Sequence, residues 1–570
     1  MSGPAGFATT PMLFLGVSDL GHNPAVALFD EHSPAPLAAL EENKLARNRG
    51  DGVPRRAIEY CLTRAGASLE DLTAVGIAGR PRRAWLREQR LKHELATSGM
   101  PPPGWPAAPA ARRWSRQQLL RELVGDRVAT HAFEHHRCHA AGAFFSCDFD
   151  SALVLTLDGA GDMLAGTLAI GEGTQLRTLR AVRFPNSFGW LYGSVTELLG
   201  FRARADEHRT QWLACAGEPV YRGVFEQLFA SDRESLPVFD QTWLGARCGE
   251  QWRLSGRLRE HLGLTSSNGD GMRQRAAVAR SLQEFLEDRI VSLAESYRLK
   301  TRHRRLCLSG GVFLNGLLVH ALEKRTQFDD VFVQSSPDNP GTAIGAGFLV
   351  RQRRLGDPKR ASDLHVHLGP EFTPQAIKDV LDNCKLIYRY CESQEQLFRA
   401  VVDLLVQGKI VAWFQGRMEF GHRALGNRSI LASPFAPYVK ENLNQFIKHR
   451  QDFHPFVLSA PGDAAPRYFE ATRNCRFATS AAELKPEGAA FERLSFGHRR
   501  VRLHVVDAAA NPRFDALLRR FGAVAPAPVL VNTSFNLFGE PLVCDPRAAV
   551  RSFYCSGIDA LAIGDFLVVK

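Results

Sequence analysis

Two histidines four residues apart and an aspartate closing an apolar run are the residues of this 570-residue chain with the most chemistry in their spacing. His135 and His139 stand one helical turn apart, so their imidazoles project from one helix face. The run Ser151-Ala-Leu-Val-Leu-Thr-Leu ends in Asp158, and Gly159-Ala-Gly161 follows. Two imidazoles and a carboxylate suit iron, zinc or manganese, and the glycines let backbone amides approach an anion. The alternative for such a histidine pair is one helix cap and one satisfied core residue. His22 sits in the turn Ser18-Asp-Leu-Gly-His22-Asn-Pro between the strands 12–17 and 25–29. A neutral imidazole there can take a proton from a hydroxyl; it can equally be a turn residue without a role.

A second chemical signal lies near the C-terminus. The strand Lys409–Phe414 runs into Gln415-Gly-Arg417-Met-Glu-Phe-Gly421-His-Arg423-Ala-Leu-Gly426-Asn-Arg428, three arginines and three glycines in close succession. Guanidinium forks grip phosphate oxygens bidentately, and glycines make room for them. Lys448, Arg450 and the cluster Arg499–Arg502 add cations, and Asn532-Thr-Ser534-Phe-Asn536 adds small polar donors after a strand. Taken singly, each cation cluster also reads as surface charge. Because an apolar strand leads straight into the first of them, a phosphate or pyrophosphate site is the better reading.

The elements that must position these groups alternate between strand and helix. Strands are expected near 12–17, 25–29, 37–41, 74–78 and 151–158, with further strands over 163–184. Helices are expected at 54–67, 187–199, 207–214 and 276–297, the last with Val278, Leu282, Phe285, Leu286, Ile290 and Leu293 as its stripe. Arg305–Ser309 leads into Gly310-Gly311 and a helix, and Val331–Gln334 leads into Asp338-Asn339-Pro-Gly341 and another, the strand–turn–helix plan that favours anions. Asp338 is positioned to join His135, His139 and Asp158. The charged run Glu41–Arg49 reads as a solvated turn and helix start, residues 80–116 as a basic, Pro-rich surface insertion or lid, and 351–363 as a domain junction.

Composition sets limits. Hydrophobic residues at 45 % and charged residues at 23 % are an ordinary globular balance. No apolar run approaches the ~18 residues of a membrane helix, and the first residues lack a secretory pattern, so a cytoplasmic protein without membrane partners is expected. The 11 scattered cysteines contain no CxxC pair. The net charge of +11 is dispersed in short clusters without interleaved aromatics, which favours solvated surface or phosphate-bearing ligands over nucleic acid.

The motifs GHNPAVAL (21–28), EHHRCHAAGAF (134–144), LTLDGAGD (155–162), LSGGVFLN (308–315), PGTAIGAG (340–347), FQGRMEFGHRALGNRSIL (414–431), KHRQDFHPF (448–456) and VLVNTSFNLFGEPLV (529–543) resemble those of the NodU/CmcH-type O-carbamoyltransferases. The resemblance spans nearly the whole chain. It implies an α/β protein with an actin-like, sugar-kinase-like two-lobed domain, akin to the tRNA threonylcarbamoyl-transferase, over 1–355, and a YrdC-like α/β domain over 356–570. It implies that the C-terminal domain makes carbamoyl adenylate from carbamoyl phosphate and ATP (with Mg2+), and that the N-terminal domain passes the carbamoyl group to a small-molecule hydroxyl, as in antibiotic tailoring. Fe(2+) or another divalent metal on His135, His139, Asp158 and Asp338 would serve the transfer, with His22 as base. Arg417, Arg423, Arg428, Lys448, Arg450, Arg500 and Asn532 match the ATP and carbamoyl phosphate pocket; Gly189 and Asn315 match adenylate contacts. Three places depart from the family's pattern. Asn339 occupies the usual fourth-ligand position, with Asp338 one step earlier. His422 replaces the proline of Gly-Pro-Arg. Glu207-His-Arg-Thr-Gln-Trp-Leu-Ala replaces Glu-Gly-Lys-x-Met-Gly-Leu-Ala in the N-terminal domain, which bears on acceptor choice. A tRNA-modifying enzyme and a non-enzymatic actin-like nucleotide switch are the competing readings. A homodimer, the metal and the acceptor are left open.

Overall fold

The computed structural model describes residues 11–47, 52–97, 109–232, 236–245, 254, 256–264, 271–356, 360–361, 364–497, 499–537 and 539–570. Two five-stranded sheets form the N-terminal lobes. The first contains β1 (Leu13–Val17), β2 (Ala25–Asp30), β3 (Ala38–Glu41), β4 (Leu72–Ala78) and β5 (Ala129–Phe133), in the order β3-β2-β1-β4-β5. The second contains β6 (Ser151–Gly161), β7 (Leu164–Glu172), β8 (Gln175–Arg183), β11 (Arg305–Ser309) and β12 (Asp330–Val333), in the order β8-β7-β6-β11-β12; a small hairpin, β9 (Phe229–Ser231) with β10 (Pro237–Phe239), lies apart. In each sheet three antiparallel strands are followed by two parallel ones, β1 with β4 and β5, β6 with β11 and β12. The lobes therefore repeat one topology, the two-lobed plan expected of the N-terminal domain. Strands such as Leu13–Val17 read as unbroken apolar runs because helices cover both faces.

The C-terminal α/β domain is built on a ten-stranded mixed sheet. It lies across both lobes. Against the first, Lys44 Nζ donates to the carbonyls of Glu419 (2.9 Å) and Gly421 (2.7 Å), Glu41 Oε1 accepts from the Gly421 N–H (2.9 Å), and Arg47 bonds Glu540 (2.6 Å). The run Glu41–Lys44 is thus not a solvated turn: Glu41, Glu42 and Lys44 are all buried. Lys44 pairs with Glu41 (2.8 Å) and Glu42 accepts from the Ala57 N–H (2.9 Å), and the remaining valences of Glu41 and Lys44 are met by a domain nearly 400 residues away, which a local window cannot see. Against the second lobe, Asn474 completes the outer edge of β12, accepting from the Val333 N–H (2.8 Å) and donating to the Val331 carbonyl (2.7 Å). It is 1 % exposed. Asn474→Ala is expected to leave two backbone groups without partners at about 1–3 kcal/mol each. Urea unfolding should show a loss of about 3 kcal/mol.

The insertion between β4 and β5 is helical where it is described. Helices Pro81–Thr97 and Pro109–Val124 pack together, with Ala84, Glu88, Leu91 and Leu120 turned inward. Its Arg, Glu, Gln and Leu content carries strong helix propensity, which the proline-rich composition masked. The Pro101–Pro106 run lies outside the described residues. The 351–363 segment begins as helix, since Thr342–Leu355 continues through it, and Arg351 is buried over the rings of Phe29 and Phe348. No helix among the described residues is long and apolar enough to cross a membrane.

Candidate active site

The helix His135–Phe144 lies between the lobes, close enough to Thr342–Leu355 that a side chain on Gly345 would overlap the Cys138 carbonyl. It brings His135 and His139 to one point. Beside it, β6 loses register between Leu157 and Gly161, so Asp158 leaves the ladder at a bulge and turns toward the imidazoles. His135 Nε2 is 3.2 Å from Asp158 Oδ2, His139 Nε2 is 3.4 Å from it, and the two Nε2 atoms are 3.0 Å apart.

The outer partners settle the tautomers. His135 Nδ1 faces the Asp19 carboxylate at 3.2 Å, so Nδ1 donates and Nε2 carries a lone pair. His139 Nδ1 faces Ser309 Oγ at 3.0 Å, and that hydroxyl donates to Gln334 Oε1 (2.9 Å), so His139 Nε2 also carries a lone pair. Three acceptor atoms thus converge with no donor among them, an arrangement that calls for a positive charge. A single proton is one answer: burial works against charge on His135, yet its bonds to Asp158 and Asp19 raise its pKa to about 10. A divalent cation is the other, and the donor set fits one: these atoms lie within 4.8 Å of one another. His136, in the same motif, turns away to Thr156 Oγ1 (2.9 Å) and the Leu164 carbonyl (3.1 Å).

Close packing fixes the cluster. A Cβ on Gly161 would stand 2.0 Å from the His135 ring, and one on Gly189 2.8 Å from the Asp158–Gly159 peptide. Asp162 accepts the N–H groups of both His135 (3.0 Å) and Arg80 (2.8 Å). His22 is exposed, three residues beyond Asp19, and its carbonyl is held by Asn339 Nδ2, which also donates to the Asp19 carbonyl (2.8 Å). Asp338 lies outside the three-residue cluster and accepts from Ser336 Oγ (2.8 Å); burial raises its pKa to about 6. Asn315 caps the helix Gly316–Arg325 and exchanges hydrogen bonds with Gln283.

The arginine loop is shaped from within. Gly416, Gly421 and Gly426 all have positive φ (46°, 102°, 97°), conformations other residues adopt at a cost. The fully buried Glu419 takes the N–H groups of Leu425 (2.7 Å), Asn427 (2.8 Å) and Arg428 (3.2 Å) on one oxygen. Arg428 is fully buried, stacked 3.7 Å over Phe414, and donates to the carbonyls of Gln415, Gly416, Asn427 and Pro370. Arg417 holds the carbonyls of Leu37 (2.9 Å) and Leu368 (2.8 Å) across the domain junction. Lys448 grips Ser534 and Asn536 (Oδ1 at 2.8 Å), and Asn532 bonds Ser459 (3.0 Å) and the Ala424 carbonyl (3.3 Å). Arg500 lies apart, bonded to the Gly497 carbonyl (3.0 Å) in the field of Glu287.

Arg423 and Arg450 have a different setting. Arg423 Nε and Arg450 Nη2 are buried without hydrogen-bond partners. Burial lowers the pKa of each to about 10. Arg502 joins them, driven well below its ordinary value by burial and by both neighbours. Three imidazoles stand in the same field. Burial takes His454 to about 2, and His208, its ring 5.4 Å away, and His422, both at the pocket's surface, are pushed down by partial desolvation and by Arg423. Cations crowd here against neutral rings, the complement of an anion. Arg502, from the cation cluster named above, belongs to this pocket together with His208 and His454, which spacing did not single out, because the helix Glu207–Leu213, the segment before Val457 and the strand Arg500–Val506 meet only in the fold. The pocket adjoins the His135–His139–Asp158 cluster: Gly421 packs on Ser336, 3.3 Å from where its Cβ would stand, and Asp338 feels Asp158 on one side while acting on Arg423 on the other.

A family model described as carbamoyltransferase N-terminus matches residues 13–348, and one described as carbamoyltransferase C-terminus matches residues 402–570. An uncharacterised Synechocystis protein is 30 % identical over 600 residues, covering 98 % of this chain and 96 % of that one. The nodulation protein NolO of Bradyrhizobium diazoefficiens is 32 % identical over 444 residues, 76 % of this chain and 78 % of its own. A 3'-hydroxymethylcephem-O-carbamoyltransferase of Amycolatopsis lactamdurans is 29 % identical over 262 residues, 46 % and 48 % of the two chains.

Proposed function

The chain belongs to the carbamoyltransferase family, and from that premise we propose that it makes carbamoyl adenylate from carbamoyl phosphate and ATP and transfers the carbamoyl group to a hydroxyl of a secondary metabolite or glycoside. Residues 356–570 activate and residues 1–355 transfer. The observation that carries the proposal is the adjacency of a carboxylate-poor arginine pocket and a cluster of three bare acceptor atoms, with Asp338 between them.

Arg423, Arg450 and Arg502 bind the phosphate oxygens of ATP and carbamoyl phosphate, with charge-assisted hydrogen bonds that neutral donors cannot match. Water cleaves carbamoyl phosphate to carbamate and phosphate, a carbamate oxygen bonds the α-phosphorus of ATP as the bond to pyrophosphate breaks, and the mixed anhydride crosses the junction. His135, His139 and Asp158 would hold Fe(2+) or another divalent cation, which supplies Lewis acidity toward the carbonyl and the departing phosphate. Gly189 keeps the wall beside Asp158 thin for the adenylate, and Asn315 lines it. His22 takes the acceptor's proton as the acceptor oxygen bonds to the carbamoyl carbon and the bond from that carbon to the AMP oxygen breaks. Arg417, Arg428, Lys448 and Asn532 hold the pocket's frame. The enzyme works in the cytoplasm.

The test is pyrophosphate release from ATP, dependent on carbamoyl phosphate and independent of acceptor; its absence in metal-loaded protein would sink the reading. His22→Ala is expected to keep that release while carbamoyl ester formation drops about 10²–10⁴-fold, the usual weight of a general base. Gly161→Ala forces the His135 ring aside. Metal affinity, read by titration and metal analysis, should fall about 10–100-fold, as for lost ligand orientation elsewhere.

A further inference from the structure

The helix pair Pro81–Thr97 and Pro109–Val124 borders the transfer site. Arg116 donates to the carbonyls of Leu20 (2.6 Å) and Gly21 (3.3 Å), in the turn that carries His22, and Gln117 donates to the Gly79 carbonyl (3.0 Å). At the other end Arg80 N–H and Arg87 bond Asp162, which also holds the His135 N–H. The C-terminal domain covers the opposite approach, where Gly421 meets Ser336. The helix pair thus borders the turn that carries His22 on the side the C-terminal domain leaves uncovered.

Their chemistry is one-sided. Residues 80–125 carry ten Lys and Arg against three Glu. Arg83 and Arg87 share a single carboxylate, Glu134, at 2.8 and 3.2 Å. Arg82 stacks 4.7 Å over Trp114, which is 45 % exposed, and one turn on from it Trp85 is 49 % exposed and Leu86 60 %. Exposed tryptophans beside cations, on a helix pair that borders the His22 turn, can take a ring by stacking and an anion by charge. The geometry points to an acceptor that is a negatively charged, ring-bearing alcohol: its carboxylate or phosphate meets the arginines of this helix pair, its ring lies on the tryptophans, and its hydroxyl reaches His22. This rests on the transfer reading above and adds the acceptor's charge and shape.

Three alcohols of similar size separate the outcomes: 4-(hydroxymethyl)benzoate, 4-(hydroxymethyl)benzamide and 4-(aminomethyl)benzyl alcohol. The full-length, metal-loaded protein is supplied with ATP and labelled carbamoyl phosphate, and ester formation is measured. In each productive turnover the alcohol oxygen bonds the carbamoyl carbon, AMP departs and the hydroxyl proton passes to the base. The benzoate is expected to be used more than about tenfold better than the neutral alcohol, the size of one charge-assisted contact. The amine should be used worst. Raising salt from about 0.05 to about 0.5 M should shrink the preference. Arg82→Glu should abolish it while acceptor-independent pyrophosphate release stays within about twofold, because that step belongs to the other domain. Equal use of the three alcohols, a preference for the amine, or an unaltered preference in Arg82→Glu overturns the inference while pyrophosphate release leaves the transferase reading standing. If pyrophosphate is not released, tryptophan fluorescence titration with the three compounds still decides: quenching by the benzoate that Trp114→Phe diminishes supports the face, and no charge selectivity overturns it.

Discussion

His139→Ala is expected to release pyrophosphate at the parental rate and to form carbamoyl ester about a thousandfold more slowly. The reasoning starts from three acceptor atoms, His135 Nε2, His139 Nε2 and Asp158 Oδ2, mutually 3.0 to 3.4 Å apart with no donor among them. Removing one of the three proposed ligands would open the site and lose a cation that the other two would not hold alone. Several kcal/mol of stabilisation for developing negative charge go with it, and 1.36 kcal/mol is a factor of ten in rate. Adenylate formation is spared because it depends on arginines of the other domain. His136→Ala is the control. That side chain is buried and bonded to Thr156 and Leu164, so its loss should lower thermal stability and leave the metal content near one per chain. A metal content unchanged in His139→Ala, or an equal loss of both half-reactions, would remove the division of labour.

What the sequence revealed follows a physical boundary. Contacts within one turn or one strand were legible: the four-residue spacing selects His135 with His139 over the adjacent His136, and strand 151–158 followed by glycines delivers an aspartate to a bulge. The hairpin that opens the first lobe was legible too, because its apolar runs are short and the return is marked by a turn. Groups whose meaning depends on a distant partner were not legible. Glu41 and Lys44 look like solvated charges until the arginine loop covers them. Asp19 looks like a turn residue until His135 faces it. Among the arginines of one loop, spacing could not separate Arg417 and Arg428, whose guanidinium groups hold backbone carbonyls, from Arg423, whose Nε has no partner. Two clues were present for this last distinction: Glu419 sits where three N–H groups need one acceptor, and Arg428 opens a strand, where its side chain must enter the sheet's packing.

That distinction gives the second large effect a sign that a structural residue cannot imitate. Arg423→Met is expected to abolish carbamoyl-phosphate-dependent pyrophosphate release, by more than about a hundredfold for the loss of a bidentate charged contact, and at the same time to raise the melting temperature. Arg423 stands in the field of Arg502, and burial lowers its pKa to about 10 and leaves its Nε unpaired; Arg428 shares both features but offsets them with bonds from Nη1 and Nη2 to four carbonyls. Confining such a cation costs folding free energy that an apolar side chain of similar length returns, the usual opposition between stability and a prepared binding site. Arg428→Met must behave in the opposite sense. Its guanidinium satisfies four carbonyls inside the loop, and deleting it strands them, so the protein should lose several kcal/mol of stability. Pyrophosphate release would then fall only as far as the folded fraction falls. Destabilisation by Arg423→Met, with activity tracking the folded fraction, would make Arg423 one more strut of the loop and leave the anion pocket without its central member.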